Sequence, residues 1–389
     1  MRLLQSLPFV ALAALASPFA GSAADPAVRP RARALGIPFE GTPGPLDAIT
    51  DVAGVEVGQV TLISGEGPLV VGKGPVHTGV TAILPRGRAS DDPVFAGTFT
   101  LNGNGEMTGL AWLRESGFLE GQLLITNTYS VGVARDALID WQARRDPGAS
   151  EVWGLPVVAE TYDGWLNDIL GFHVKPQHVF EALDKARSGP VAEGSVGGGT
   201  GMICFEWKCG IGTASRRVKV GAAGYVVGVL VQANFGFRPQ ALVAGVPVGR
   251  EIRDGTFRTK ENGSIIIVVA TDAPLLPHQL DRVARRAGMG LARTGSTAGD
   301  GSGDIFLAFS TANPGVQKAR AAVAAQFLPN DTLNPVFDAT VQATEEAIVN
   351  ALVAGETMTG VDGHRVLGIP HDRLRDVLRK YGRLEERDR

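Results

Sequence analysis

The chain has 389 residues, 44% of them hydrophobic and 20% charged, and a formal net charge of −3. That is an ordinary globular composition, which excludes collagen, coiled coil and wholesale disorder. The near-neutral charge points to neither nucleic acid nor an anionic membrane surface, and at this length one large layered domain competes with two smaller ones.

The chain opens with an export-signal pattern. Arg2 supplies the positive start and Leu7 to Ala16 the apolar stretch. Small residues then crowd Gly21 to Ala24, where Ser22 and Ala24, or Gly21 and Ala23, fit the −3 and −1 positions of a cleavage site. The apolar run is too short for a membrane anchor, and Pro18 interrupts it. The expectation is a leader over 1–24 and a mature, soluble protein, 25–389, that is periplasmic or secreted.

A Pro- and Gly-rich lead, Gly36-Ile-Pro-Phe-Glu-Gly-Thr-Pro-Gly44, reads as loop. Val55–Ile63, Gly79–Leu84 and Leu123–Thr126 read as strands. Ser130 fits the cap of a helix through Ala134, Leu138 and Trp141. Pro176–Ala186 reads as a second helix, ended by Ser188-Gly189-Pro190. Cys204 and Cys209 are the only cysteines, and Phe205 to Lys208 between them suits a tight hairpin; a local disulfide and two idle thiols both fit. Tyr225–Val231 is β in composition. Ser264–Ala270, a β-branched run without alternation, predicts a strand buried on both faces. Leu280, Val283, Ala284, Ala287 and Leu291 then follow at helical spacing. Ile305–Ser310 is a further strand, and a long helix runs from about Thr332 to Ala354, with Gly355 as its stop. Strands and helices mix without strict βαβ repetition, which favours sheets covered by helices.

Familiar catalytic patterns are missing. There is no Gly-x-Ser-x-Gly elbow and no His-Glu-x-x-His, and the histidines at 77, 173, 178, 278, 364 and 371 are scattered. Gly197-Gly-Gly-Thr-Gly201 lacks the P-loop lysine, and Gly299 to Asp304 fails the dinucleotide spacing; both suit tight loops that bring backbone near a ligand. At Glu261-Asn262-Gly263-Ser264 a hydroxyl residue begins the most buried strand directly after a turn-forming Asn-Gly.

That segment, continued as Ile-Ile-Ile-Val-Val-Ala-Thr-Asp-Ala-Pro-Leu-Leu-Pro-His-Gln-Leu280, resembles the processing site of two related enzyme groups, the L-aminopeptidase/D-amidase/D-esterases and the β-peptidyl aminopeptidases. The likeness extends over nearly the whole mature chain. It includes the 36–44 lead, Thr50-Asp-Val-Ala-Gly-Val55, Val157-Val-Ala-Glu-Thr-Tyr162, Gly197-Gly-Gly-Thr-Gly-Met202, Gly228-Val-Leu-Val-Gln-Ala-Asn234 and Gly301-Ser-Gly-Asp304. It implies an αββα four-layer sandwich, similar to N-terminal nucleophile hydrolases but differently connected. It implies one peptidase domain cut between Gly263 and Ser264 into 25–263 and 264–389, assembled as a homotetramer of processed heterodimers. No metal or organic cofactor is expected.

The chemistry is coherent. A serine hydroxyl needs a base, and an α-amine with an ordinary pKa near about 8 can be that base once Ser264 heads a chain. Position by position, the resemblance makes Ser302 and Asp304 the groups that orient Ser264. Tyr162 and Asn234 become the donors to the oxyanion, and Glu160 the carboxylate for the substrate ammonium, with Asp163 as a fallback. Substrates would be short peptides and amino-acid amides or esters. Tyr162 and the 301–304 loop look closer to the first group, the export signal to the second. Alternatives are an acyltransferase of the ornithine acetyltransferase type, whose nucleophile is threonine rather than serine, and a non-catalytic periplasmic peptide-binding protein.

Overall fold

The structure, a computed structural model, describes residues 30–145 and 154–385; the leader expected over 1–24 lies outside them. β1 (Glu56–Ser64) and β2 (Val76–Leu84) pair antiparallel, with Glu56 opposite Leu84. β3 (Val94–Gly103) departs for a second sheet, and α1 (Leu110–Ser116) leads to the short β4 (Phe118–Leu119) beside it. β5 (Leu123–Asn127) rejoins β2, α2 (Val131–Arg145) follows, and β6 (Val157–Thr161) runs parallel to β5. The first sheet is thus β1-β2-β5-β6. α2 and α3 (Pro176–Asp184) cover its outer face through Ala134, Leu138, Trp141, Val179 and Leu183, which meet Val60, Val80, Leu84 and Val158.

The second sheet collects most of the remaining chain. After a small hairpin, β7 (Ile203–Cys204) and β8 (Trp207–Lys208), come β9 (Ile211–Val220) and β10 (Ala223–Asn234). The short α4 (Val248–Glu251) precedes β11 (Ser264–Thr271), and α5 (Pro277–Arg293) connects β11 to β12 (Gly303–Ser310). α6 (Asn334–Val353) and α7 (His371–Lys380) complete the helices. The strand order is β4-β3-β12-β11-β10-β9. β11 and β12 are parallel, with Ile265 beside Asp304, so Ser264 and Gly303 begin their strands at the same end of the sheet.

Alternation along β11 explains why it reads as one apolar run. Ile266, Val268 and Ala270 face the first sheet, where they join Ile83, Leu123, Ile125 and Ala159. Ile265, Ile267 and Val269 face α5 and α6, against Leu280, Val283, Ala287, Ala343 and Ala347. Every β11 and β12 residue is buried. The layers are therefore helix, sheet, sheet, helix.

Local differences from expectation have clear causes. The cap before α2 is Asn127 rather than Ser130: its side chain accepts the amides of Tyr129 (3.1 Å) and Ser130 (3.0 Å) and starts a 3-10 turn one step earlier. Gly355 is not a left-handed helix stop, because α6 closes through Ala354 at φ −80°. Gly355 instead lets the chain cross Lys208, whose carbonyl would lie 1.9 Å from any Cβ there. The 197–201 glycines thread between strands, where a Cβ on Gly198 would meet the Gln232 amide at 2.2 Å and one on Gly199 the Ile211 nitrogen at 2.5 Å.

Candidate active site

A cleft of about 470 Å³ opens where the two sheets present their strand ends, and Ser264, Gly263, Asn262, Tyr162, Asn234 and Glu160 all line it. Antiparallel pairing sets Ser264 opposite Asn234 across β11 and β10. Ser264 is 7% exposed, and its Oγ accepts the Gly303 backbone N–H at 3.0 Å. The preceding residue has to be glycine: Gly263 sits at φ +117°, and a Cβ would fall 1.8 Å from the Asn234 carbonyl.

Ser302 and Asp304 flank Gly303. The Ser302 hydroxyl donates to Asp304 Oδ1 at 2.7 Å. Asp304 is buried, and its Oδ2 has no hydrogen-bond partner among the described residues. Burial, opposed by the Ser302 hydroxyl and reinforced by Glu261, pushes its pKa up to about 6. A register shift between β12 and β3 falls at Asp304/Ile305, the kind of irregularity that re-aims a side chain beside a site. The loop before it is pinned by Asn102, whose amide donates to Gly299 O (2.6 Å), and by Asn104, whose amide donates to Gly301 O (2.9 Å).

Asn234 is nearly immobilised. Its Oδ1 accepts the Ile203 N–H at 2.8 Å and its Nδ2 donates to the Tyr162 carbonyl at 2.9 Å, which leaves one amide hydrogen uncommitted. Ile203 belongs to the β7–β8 hairpin, which a Cys204–Cys209 disulfide closes. Its turn residues, Phe205 and Glu206, both have positive φ (49° and 64°), as a two-residue turn of this hand requires. Tyr162 is 49% exposed, with its hydroxyl over Gly164, where a Cβ would lie 2.3 Å away.

Glu160 forms the acidic end of the cleft. It is 4% exposed, accepts the Glu106 N–H at 2.9 Å and takes a short bond from the Thr128 hydroxyl. Burial raises its pKa despite both donors, and Glu106 adds to the rise. Glu160 and Glu106 both line the cleft, and among the described residues neither forms an ion pair. Asp163, the fallback, is not among the lining residues; it is buried behind Tyr162 and bonded to Asn167 at 3.0 Å. The opposite wall is aromatic: Trp165 stacks on Phe257 at 5.1 Å and on His364 at 4.0 Å. Glu106, Thr128, Trp165, Phe257 and Arg258 escaped the sequence reading. Thr128 starts a 3-10 turn and the others sit in loops, and only the fold brings them together.

A buried hydroxyl, a carboxylate lacking a cation, uncommitted donors and an acidic pocket within one cleft suit acyl transfer from a substrate that carries an ammonium. Comparisons with known proteins agree. The family model described as peptidase family S58 matches residues 47–366. The beta-peptidyl aminopeptidase BapA of Sphingosinicella microcystinivorans is 57% identical over 372 residues, 91% of this chain and 93% of that protein. The L-aminopeptidase D-Ala-esterase/amidase of Ochrobactrum anthropi, described as a prototype serine aminopeptidase and a variant of the Ntn hydrolase fold, superposes with a TM-score of 0.87. It is 48% identical and covers 92% of this chain and 100% of its own. A beta-aminopeptidase of Burkholderia sp. gives a TM-score of 0.84 at 50% identity, with 92% and 100% covered.

Proposed function

The chain belongs to peptidase family S58, and from that premise we propose the reaction its cleft performs: self-cleavage before Ser264, then removal of N-terminal residues from short peptides and amino-acid amides or esters. The single observation that carries this is Ser264 at the head of a buried strand, its Oγ on the Gly303 amide, directly behind a glycine in a conformation other residues rarely adopt.

In the first stage the Ser264 Oγ attacks the Gly263 carbonyl carbon as its proton is drawn off by the charged Asp304 carboxylate, which then gives that proton to the departing nitrogen. The amide C–N bond breaks, a Gly263 ester forms on Oγ, and water hydrolyses that ester. The products are a Gly263 carboxylate and a Ser264 bearing both hydroxyl and amine. In the second stage the amine accepts the hydroxyl proton as Oγ attacks the substrate carbonyl. The proton then passes to the leaving amine, and water releases the acyl group. Asn234 Nδ2 and the Tyr162 hydroxyl supply the oxyanion donors, each worth a few kcal/mol when preorganised. Asp304, steadied by Ser302, accepts the Ser264 ammonium on its open Oδ2. Glu160 receives the substrate ammonium, which restricts cleavage to the first residue because internal amides carry no such charge.

The named relatives support β-amino-acid as well as D- and L-amino-acid derivatives as the substrate class. The 1–24 pattern supports export to the periplasm, and family likeness supports a tetramer of cut subunits. Intact-mass spectrometry tests the reading: the purified protein should give two chains, one beginning at Ser264, whereas Ser264→Ala should stay whole and inactive. Hydrolytic activity in a chain that remains uncut would refute it. Rates on β-alanine amide against L-alanine amide then assign the branch.

A further inference from the structure

The stretch that leads to the cut is tied down almost to its end. The buried Glu206 carboxylate accepts the backbone amides of Phe257 (2.5 Å), Arg258 (2.7 Å) and Arg238 (3.1 Å). Glu261 accepts the hydroxyls of Thr297 (2.9 Å) and Ser296 (3.3 Å). Arg258 Nη1 donates to Asn262 O at 2.9 Å and to Gly236 O at 3.3 Å. Phe257, Arg258, Asn262 and Gly263 themselves line the cleft. Hydrolysis of one bond therefore leaves a tail that is still anchored, with only Gly263 free to turn.

We infer that Arg258 receives the carboxylate that cleavage creates on Gly263 and holds the cut tail as a fixed wall of the substrate cleft. The inference rests on cleavage at Gly263–Ser264. The new carboxylate is born at the position a substrate acyl carbon must occupy, since Ser264 has just attacked that carbon. It is negative, in a cleft already lined by Glu106 and Glu160. Arg258 is the one Lys, Arg or His among the lining residues. It forms no ion pair among the described residues; the Glu206 carboxylate, bonded to three backbone amides, favours its charge only from a distance. Burial lowers its pKa, so a partner anion is favoured there. The atom Arg258 already holds, Asn262 O, is one peptide unit from the new terminus. Glycine has the rotational freedom to swing two oxygens onto a guanidinium, which binds carboxylates in pairs.

The test begins with intact masses, which report the cut independently of the tail. An uncut wild-type chain ends the underlying reading. Cut wild-type enzyme is then treated with a broad-specificity carboxypeptidase, beside cut Arg258→Gln and Arg258→Lys. The wild-type tail should keep Gly263, the Gln variant should lose Gly263 and Asn262 at least tenfold faster, and Lys should fall between. Equal trimming in all three overturns the inference. If Arg258→Gln fails to cut, wild-type enzyme labelled with carboxyl-13C glycine decides. Its single titrating glycine carboxylate should have a midpoint at least about one unit below the ordinary ~3.3–3.7 of a chain terminus, and an ordinary midpoint overturns the assignment. A dipeptide acid and its amide separate the other carboxylate source. Arg258→Gln should change both rates by the same factor; a tenfold loss confined to the acid assigns the guanidinium to substrate and overturns capture of the tail.

Discussion

Two buried polar regions of this molecule are built on opposite plans. Beneath the N-terminal lead, Arg216 meets Glu346 at 2.6 Å and Asp47 at 3.6 Å, Arg33 meets Glu346 at 2.7 Å, and Arg31 meets Glu193 at 2.8 Å. Burial pushes Glu193 up to about 7, and Arg31 pulls against it. In the cleft, Asp304 and Glu160 are just as enclosed, yet among the described residues they meet hydroxyl and backbone donors and no guanidinium or ammonium. A completed ion cluster fixes structure. On the proposed reaction, each buried carboxylate left without its cation receives one later: the Ser264 ammonium after cleavage for Asp304, the substrate ammonium for Glu160. The cluster is made within the fold, and on the proposed reaction the cleft is finished by cleavage.

Substitution separates the two plans. The largest expected effect is at Asp304→Asn, which keeps shape and removes charge. Self-cleavage and turnover should each fall by roughly 10²–10⁴, the range for a lost proton-transfer partner, while the thermal stability of the uncut chain holds, since before cleavage no cation faces Asp304. Mass-spectrometric time courses and a melting curve check both halves. Next is Arg216→Ala, which leaves the buried Glu346 with Arg33 alone and should cost about 3 kcal/mol of stability, the lower end for a broken buried ion pair. Urea unfolding in the uncut Ser264→Ala background measures it as a single chain. Folded Arg216→Ala with Ser264 restored should cut at the normal rate; slow cutting would mean the two regions are coupled.

What could be read from sequence follows the same division. β11, α5 and α6 were legible because burial on both strand faces or one helix face leaves a periodic signature in Ile, Val, Leu and Ala. β3 and β9 were not. β3 carries Gly97 and ends in Asn102-Gly103, and the outer half of β9, Arg216 to Val220, is rich in charge, so neither shows the expected apolar pattern. Ser264, Asp304 and Glu160 were found through family likeness, not periodicity. Glu106 and Arg258 carry no local signal at all: 54 residues separate Glu106 from Glu160, and only the meeting of β3, β6 and the precleavage loop makes them neighbours.

A smaller effect is expected at Glu160→Gln. A charged hydrogen bond to a substrate ammonium is worth about 1.5–3 kcal/mol, so KM for amino-acid amides should rise roughly tenfold to a hundredfold, with kcat changed less. Self-cleavage has no free ammonium in the cleft and should proceed as in the parent. Equal damage to both reactions would make Glu160 a structural acid like Glu346 and erase the distinction between the two regions.

The subtlest test is pH, because it asks whether Asp304 truly waits for a cation. In the uncut chain its pKa is raised from 3.8 to about 6, first by burial, then by Glu261, against the Ser302 hydroxyl and the Ile265 amide. A carboxylate with a raised pKa is charged above that value and neutral below it. Cleavage of freshly translated precursor should therefore slow below about pH 6, approaching tenfold per unit for a single proton, and Asp304→Asn should abolish that limb. Glu261→Gln removes the facing negative charge and should move the midpoint down; Ser302→Ala removes the stabilising donor and should move it up. In the mature enzyme turnover needs the Ser264 amine neutral, and contact with the charged Asp304 favours its ammonium form, so the acidic limb of turnover should lie above that of self-cleavage. Coincident midpoints for the two reactions would mean that no cation ever reaches Asp304 Oδ2, and its role as acceptor of the terminal amine would fall.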